Sequence, residues 1–259
     1  MQRWAAGVEY LGTGYGGWQA QPGVPSIQEA LETALSAVAD QPVKTFAAGR
    51  TDAGVHAFGQ VVHFDSSAAR RPYAWLLGAN TALPAAVSLR WVQAVTQPFD
   101  ARRSARWRRY RYVIHNQRAR SALLAGRAAW IARDLDAAAM HAAAQALLGE
   151  HDFSAYRAAG CQSRSVHRNV QEIAVWRRAD FVVLDIRANA FLHHMVRNIA
   201  GVLLEIGHGR RGADWAGAVL AGRDRRQAGM TAPPEGLYFV GPEYPEAFGL
   251  PGPATAWFP

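Results

Sequence analysis

Two kinds of apolar spacing alternate along this chain, and their order constrains the fold more than any other feature. Runs with the two-residue period of a strand are followed by segments with the 3.6-residue period of a helix, in both halves. In the first half, Val8-Glu9-Tyr10 ends a strand, and Gly12-Thr13-Gly14-Tyr15-Gly16-Gly17 follows it. Ser26 with Glu29 reads as a capping box, and Ile27, Ala30, Leu31, Ala34, Leu35 and Val38 form the stripe of a helix. Next come a short strand over 44–48, a loop over 49–57 and a strand over 60–64. A short helix over 73–78 and strands over 88–95 and 108–115 complete the half. The loop 116–125 reads as the boundary, giving an N-terminal half 1–116 and a C-terminal half 117–259.

The second half repeats the element order without repeating the sequence. Asp136 caps a helix through Leu148 with Gly149 as its stop, and a polar loop runs over 150–168. Segments 170–176 and 181–187 form a hairpin around Arg178-Ala179-Asp180. A long helix from Phe191 buries Met195, Ile199, Val202 and Ile206 and ends at Gly207. A shorter helix covers 215–220, and 237–240 supplies a last strand. Strands flanked by helices in this order predict an α+β fold with helices on one face of the sheets.

Composition narrows the class. Half the residues are hydrophobic and 19% are charged, which suits a globular chain rather than a disordered one. No apolar run approaches about 18 residues, so no membrane span is expected. The single cysteine, Cys161, excludes an internal disulfide framework and any multi-cysteine zinc site. The N-terminus shows no signal-peptide core, and a cytoplasmic protein is expected. The net charge of +8 is localised: residues 101–133 hold ten arginines and no acid, while the rest has 18 bases against 20 acids. Such a segment points to a polyanionic partner.

Three stretches carry candidate chemistry. Gly12-x-Gly14-x-x-Gly17 matches the dinucleotide fingerprint in letters only, because Trp18-Gln19-Ala20-Gln21-Pro22 follows where a helix should open. The pattern reads as a hairpin turn, and no nucleotide cofactor is expected. Ala48-Gly49-Arg50-Thr51-Asp52-Ala53-Gly54-Val55-His56 sets a carboxylate between two glycines in a loop joining two apolar strands. Glycines there permit close approach of a ligand, and a neighbouring Arg favours the ionised acid. A structural Asx-turn with a solvated Arg is the equal alternative. The basic stretch interleaves Trp107, Arg108, Arg109, Tyr110, Arg111 and Tyr112. On a strand, Arg109 and Arg111 share one face while Arg108, Tyr110 and Tyr112 share the other. Basic residues among aromatics suit nucleic-acid backbones and bases, and a strand with Tyr inside and Arg outside is the plainer reading. Arg197, on the polar side of the long helix, either snorkels to solvent or reaches the loop carboxylate. His193 and His194 read as adjacent positions of that helix, about 100° apart and unable to share an ion, and His56, His63 and His115 lack ligand spacing, so no metal is expected.

The loop Gly49-Arg50-Thr51-Asp52-Ala53-Gly54-Val55-His56 resembles the signature of the TruA family of tRNA pseudouridine synthases. Further matches follow in order: Gly17-Trp18-Gln19, Arg108-Arg109-Tyr110-Arg111-Tyr112, Cys161-Gln162-Ser163-Arg164, Ala190-Phe191-Leu192-His193-His194-Met195-Val196-Arg197-Asn198 and Glu235-Gly236-Leu237-Tyr238. The resemblance implies the pseudouridine synthase fold, two ferredoxin-like or RRM-like halves forming a mostly antiparallel mixed sheet with helices on one face. It implies conversion of uridine to pseudouridine in the anticodon stem-loop of tRNA, at positions 38, 39 and 40, by a homodimer without cofactor or metal. Asp52 would be the catalytic aspartate and Arg50 the neighbour that helps splay the uridine out. Tyr110 would stack on the flipped base, Arg197 would pair with Asp52, and Leu237 would line the base pocket. Arg102, Arg103, Arg106, Arg109 and Arg111 would receive the RNA backbone. One departure is visible, since Leu11 stands where the family commonly has Asp. Breaking and remaking a glycosidic bond without consuming water needs one carboxylate rather than the pair of a glycoside hydrolase. A non-catalytic RNA-binding protein using the same basic strand is the alternative of another class.

Overall fold

The structure, a computed structural model, describes residues 1–96 and 98–252. In chain order the elements are β1 (Gln2–Tyr10), α1 (Ile27–Ala39), β2 (Phe46–Ala47), β3 (His56–Ser66), α2 (Pro72–Ala82), β4 (Val87–Val95) and β5 (Trp107–Asn116). They continue with β6 (Ala129–Ile131), α3 (Ala137–Ala144), β7 (Gly149–Asp152), β8 (His167–Arg178), β9 (Phe181–Ala188), α4 (Met195–Gly207), α5 (Trp215–Gly222) and β10 (Leu237–Glu243). The architecture is α+β with mixed, mostly antiparallel strands; β5 and β6 run parallel. Among the described residues the chain forms two compact units, Met1–Trp107 with 239–252, and Arg108–Tyr238.

In the first unit the strand order is β4-β1-β3-β10, with β2 also on β3. Alternation decides which residues reach the helices. Trp4 and Phe64 are register partners, and both rings meet Trp75 of α2, at 6.0 and 5.1 Å between centroids. Their neighbours Arg3 and Asp65 face the other side and form a two-pronged ion pair at 2.7 and 2.8 Å. Ser26 caps α1 by accepting from the Glu29 N–H, and Asp40 closes that helix in the left-handed region at φ 52°. Pro72 opens α2 in the first turn, where its missing N–H costs no helical bond.

In the second unit the order is β5-β9-β8-β7, with β6 beside β5. The expected hairpin forms β8 and β9, turning through Ala179 at φ 48°. Asp136 caps α3 by accepting from the Ala139 N–H. That helix ends at Ala144 and tightens into a 3-10 turn over Gln145–Leu147, shorter than its periodicity predicts. Gly149, read as a helix stop, has φ 95° and opens β7, so the loop expected over 150–168 holds a strand and the start of β8. The long helix starts at Met195, not Phe191. His194 precedes it at φ 58°, so His193 and His194 are not successive positions of a helix, and their rings lie 3.9 Å apart. Among the described residues no helix is long and apolar enough to cross a membrane.

Candidate active site

The acidic loop of the first unit closes the β2–β3 hairpin, and its backbone is braced from several sides. The Asp52 carbonyl accepts from the Val55 N–H at 3.1 Å, and Gly54 between them takes φ 77°, a conformation glycine adopts without strain. The Trp18 N–H donates to the Thr51 carbonyl at 3.0 Å, and Gln60 Nε2 donates to the Gly49 carbonyl at 2.6 Å. Thr51 Oγ1 bonds the Tyr10 hydroxyl at 2.8 Å. Burial pushes the Tyr10 phenol up to about 12 against the opposing hydrogen bonds of Thr51 and Gln60, so the hydroxyl stays protonated. Thr51, Val55 and His56 are buried, Asp52 is half-buried and Arg50 is exposed. A braced loop thus presents one carboxylate and one guanidinium outward while its other side chains anchor it.

The glycine stretch after β1 is part of this bracing, and it is not a hairpin turn. It leads into α1 and packs on the acidic loop. A Cβ on Gly12 would sit 2.0 Å from the Val55 carbonyl oxygen, and one on Gly17 would sit 2.6 Å from that of Thr51. The Gly12 N–H donates to His56 Nδ1 at 2.9 Å, which accounts for His56 as a structural acceptor. The sequence marks these glycines, but nothing in their spacing reveals that a loop more distant in the chain crowds them.

The second unit carries Tyr110, Arg197 and Leu237. Tyr110 on β5 is 9% exposed, its ring edge-to-face with Phe191 at 4.9 Å. Phe191, four residues ahead of α4 and expected from sequence as the start of that helix, enters the site description only through the structure. Arg197 on α4 is half-buried, and its Nε donates to the Ala232 carbonyl at 2.8 Å while the Ala232 N–H returns a bond to the Arg197 carbonyl at 3.1 Å. Next to it, fully buried Asn198 donates to the Tyr156 carbonyl at 2.8 Å and accepts from Thr231 and Arg225 at 2.7 and 3.0 Å. A Cβ on Gly201 would meet the Met230 carbonyl oxygen at 1.8 Å, so the segment 229–232 lies tight along α4. Tyr112 then holds the Pro233 carbonyl at 2.8 Å, and buried Leu237 follows three residues after the turn begins.

The five arginines expected at RNA fall into two groups. Arg102, Arg103 and Arg106 are exposed. Arg109 and Arg111 face Asp185 of β9, at 3.2 and 2.9 Å, and Arg109 also pairs with Glu172 of β8. Glu172 bonds Arg187 at 2.6 Å as well, so three guanidinium groups and two carboxylates are linked across three strands. Absence of acids within 101–133 does not leave these two cations unpaired in space.

Comparison with known proteins accounts for both units. Residues 6–102 and 143–245 match the family described as tRNA pseudouridine synthase. The tRNA pseudouridine synthase A of Hydrogenovibrio crunogenus is 54% identical over 247 residues, 95% of this chain and 94% of that protein. The proteins of that name from Salmonella arizonae and Xanthomonas euvesicatoria are each 53% identical, covering 96% and 98% of this chain and 92% and 99% of their own lengths. With a braced single carboxylate in one unit, a buried tyrosine and half-buried arginine in the other, and these likenesses over nearly its whole length, the chain belongs to the tRNA pseudouridine synthase family.

Proposed function

We propose that this isomerase of tRNA uridine works through Asp52, on uridines 38, 39 and 40 of the anticodon arm. The observation that carries the assignment is the bracing of the acidic loop, which holds a half-exposed carboxylate in place with main-chain bonds while Thr51, Val55 and His56 are buried. Pre-organisation of this kind removes the ordering cost a mobile acid would incur in the transition state. The reaction breaks the bond from the sugar C1′ to N1, turns the uracil, and joins C1′ to C5, from which a proton is lost as N1 gains one. Atoms and electrons balance within the nucleotide, so no redox cofactor, water or metal is called for. The carboxylate either attacks the sugar carbon or removes a sugar proton, and both roles need it ionised.

Base chemistry of this type requires the nucleotide to leave its stack. Arg50 takes the place left by the uridine, Tyr110 receives the uracil face, and Arg197 and Leu237 hold its surroundings. The exposed Arg102, Arg103 and Arg106 carry most of the contact with the RNA backbone, and Arg109 and Arg111 add less because Asp185 and Glu172 already pair with them; the working form is a cytoplasmic homodimer. The test is Asp52→Asn on tRNA transcripts lacking the modification. Pseudouridine formation is expected to fall on the order of 10³-fold or more, as for removal of other covalent-catalysis groups, with tRNA affinity retained. A variant within about tenfold of wild type overturns the assignment.

A further inference from the structure

Phe46 differs from the other exposed apolar side chains in how firmly it is mounted. Its ring is 59% exposed, yet one face lies on the His63 imidazole, with centroids 5.0 Å apart and planes 18° from parallel. The two residues are register partners of β2 and β3, so they share a face of the sheet, the one turned away from Trp75 of α2. His63 is itself fixed. The Ala101 N–H donates to its Nδ1 at 3.0 Å, which places the ring proton on Nε2, and burial lowers its pKa and keeps it neutral. The edge of Phe99 meets it at 6.2 Å, and Tyr244 and Phe248 back Phe99 at 5.1 and 5.2 Å. Just before Phe46 the chain is clamped by Glu32, which accepts from the Thr45 N–H and hydroxyl at 2.8 and 3.1 Å and from Lys44 at 3.0 Å. A ring held this way loses little freedom when something stacks on its open face.

The surroundings decide what that something is. Ala101, which holds His63, is followed by Arg102 and Arg103, whose main-chain N–H groups both bind Asp100 Oδ1, at 2.9 and 2.8 Å. The turn is therefore rigid while both guanidinium side chains are exposed. An apolar protein partner would meet charge beside the ring, whereas a nucleotide offers a planar base for Phe46 and phosphates for the arginines. From β2 the chain runs directly into the Asp52 loop, so a stacked base would register the RNA against that loop. We propose that Phe46, backed by His63, is a stacking platform for an unpaired base of the tRNA other than the uridine being isomerised, with Arg102 and Arg103 on the flanking phosphates. The inference rests on the tRNA reading above and adds a second contact point to it.

The test compares Phe46→Ala, Phe46→Leu and Phe46→Trp on an unmodified tRNA transcript. Kd is expected to rise about tenfold for the Ala and Leu variants, within the range seen when single stacking residues are removed, and to stay within about twofold of wild type for Trp. The dependence of affinity on salt is unchanged in all three, because no charge is touched, and single-turnover rates at saturating tRNA match wild type. Phe46→Leu keeps apolar bulk on β2, so a fold defect in the Ala variant does not obscure the result. A Leu variant that binds like wild type overturns the proposal, as does a loss that tracks a shift in sedimentation rather than tRNA contact. Failure of the wild-type protein to isomerise the transcript would strike the tRNA reading itself, whereas normal wild-type activity with an indifferent Phe46→Leu strikes the stacking platform alone.

Discussion

Gly12 has room for no side chain, because its neighbour is a carbonyl oxygen of the acidic loop and not a flexible group that could turn aside. A methyl group there would approach the Val55 oxygen to 2.0 Å and would have to push the main chain carrying Asp52. Displacement of a reacting group by about 1 Å typically costs on the order of 10²-fold in rate. Gly12→Ala is therefore expected to lower the turnover of tRNA uridine by about that factor while leaving tRNA affinity within a few-fold. Gly14 supplies the control: it has open space around its Cβ direction and only its φ of 84° to strain, so Gly14→Ala should cost about 1 kcal/mol of stability with turnover intact. Steady-state kinetics beside thermal melts separate the two outcomes, and a Gly12→Ala enzyme with wild-type turnover would show that the loop does not need this brace. The acidic loop itself was legible from residues because glycines, Arg and Asp cluster within one short stretch. The glycines that brace it were visible as glycines, but their reason is a contact with a loop elsewhere in the chain, which local spacing does not encode.

At the level of elements, alternation along β5 was readable and its energetics were not. The spacing of Arg109 and Arg111 puts them on one face, but their partners Asp185 and Glu172 come from β9 and β8 and appear only once the strands are in register. Asp185 has a side chain 10% exposed and sits against both guanidinium groups. Arg111, which also lies over Trp176 at 5.6 Å, is thus bound to the sheet as much as it is available to RNA. Arg111→Ala is expected to destabilise the protein by about 1–3 kcal/mol, the range for losing hydrogen bonds to a charged acceptor that Arg109 continues to pair, lowering Tm by a few degrees. Its effect on the slope of tRNA affinity against salt should be small. Replacing Arg102, Arg103 and Arg106 by Ala together should do the reverse, flattening that slope with little change in Tm. Equal slope changes from both sets would mean that the ion pairs on β5 open when RNA binds. The short strands β6 and β7 escaped the pattern for a simpler reason: three and four residues are too few to display a period, and pairing with a long neighbour creates them.

Over the whole molecule, the excess positive charge is less free than its concentration in one segment implies, and acid sensitivity is set by a few groups whose pKa falls on folding. Burial lowers the pKa of His63 in the first unit and of His208 in the second, the latter with help from the nearby Arg210. A histidine whose folded pKa lies below its unfolded value near 6.5 takes up a proton more readily when unfolded. Its contribution to stability is whole above that value and declines as pH falls through it toward the folded one. Asp65 follows the opposite chemistry with the same direction of loss: the hydrogen bond from Arg3 holds its carboxyl below the ordinary 3.8, so its contribution is present above that value and disappears only as pH falls through the depressed one. Two windows follow, one opening just below pH 6.5 and one below the usual carboxylate range. Tm is therefore expected to fall between pH 7.5 and 5 and to fall again in stronger acid. His63→Asn isolates the first window, because an amide oxygen can still accept from the Ala101 N–H but cannot gain a proton. That variant should show a shallower loss of Tm between pH 7.5 and 5 than wild type, measured by thermal melts in matched ionic strength. A slope equal to wild type would place the acid sensitivity elsewhere, with His208, whose pKa is also lowered, the next imidazole to replace in the same way.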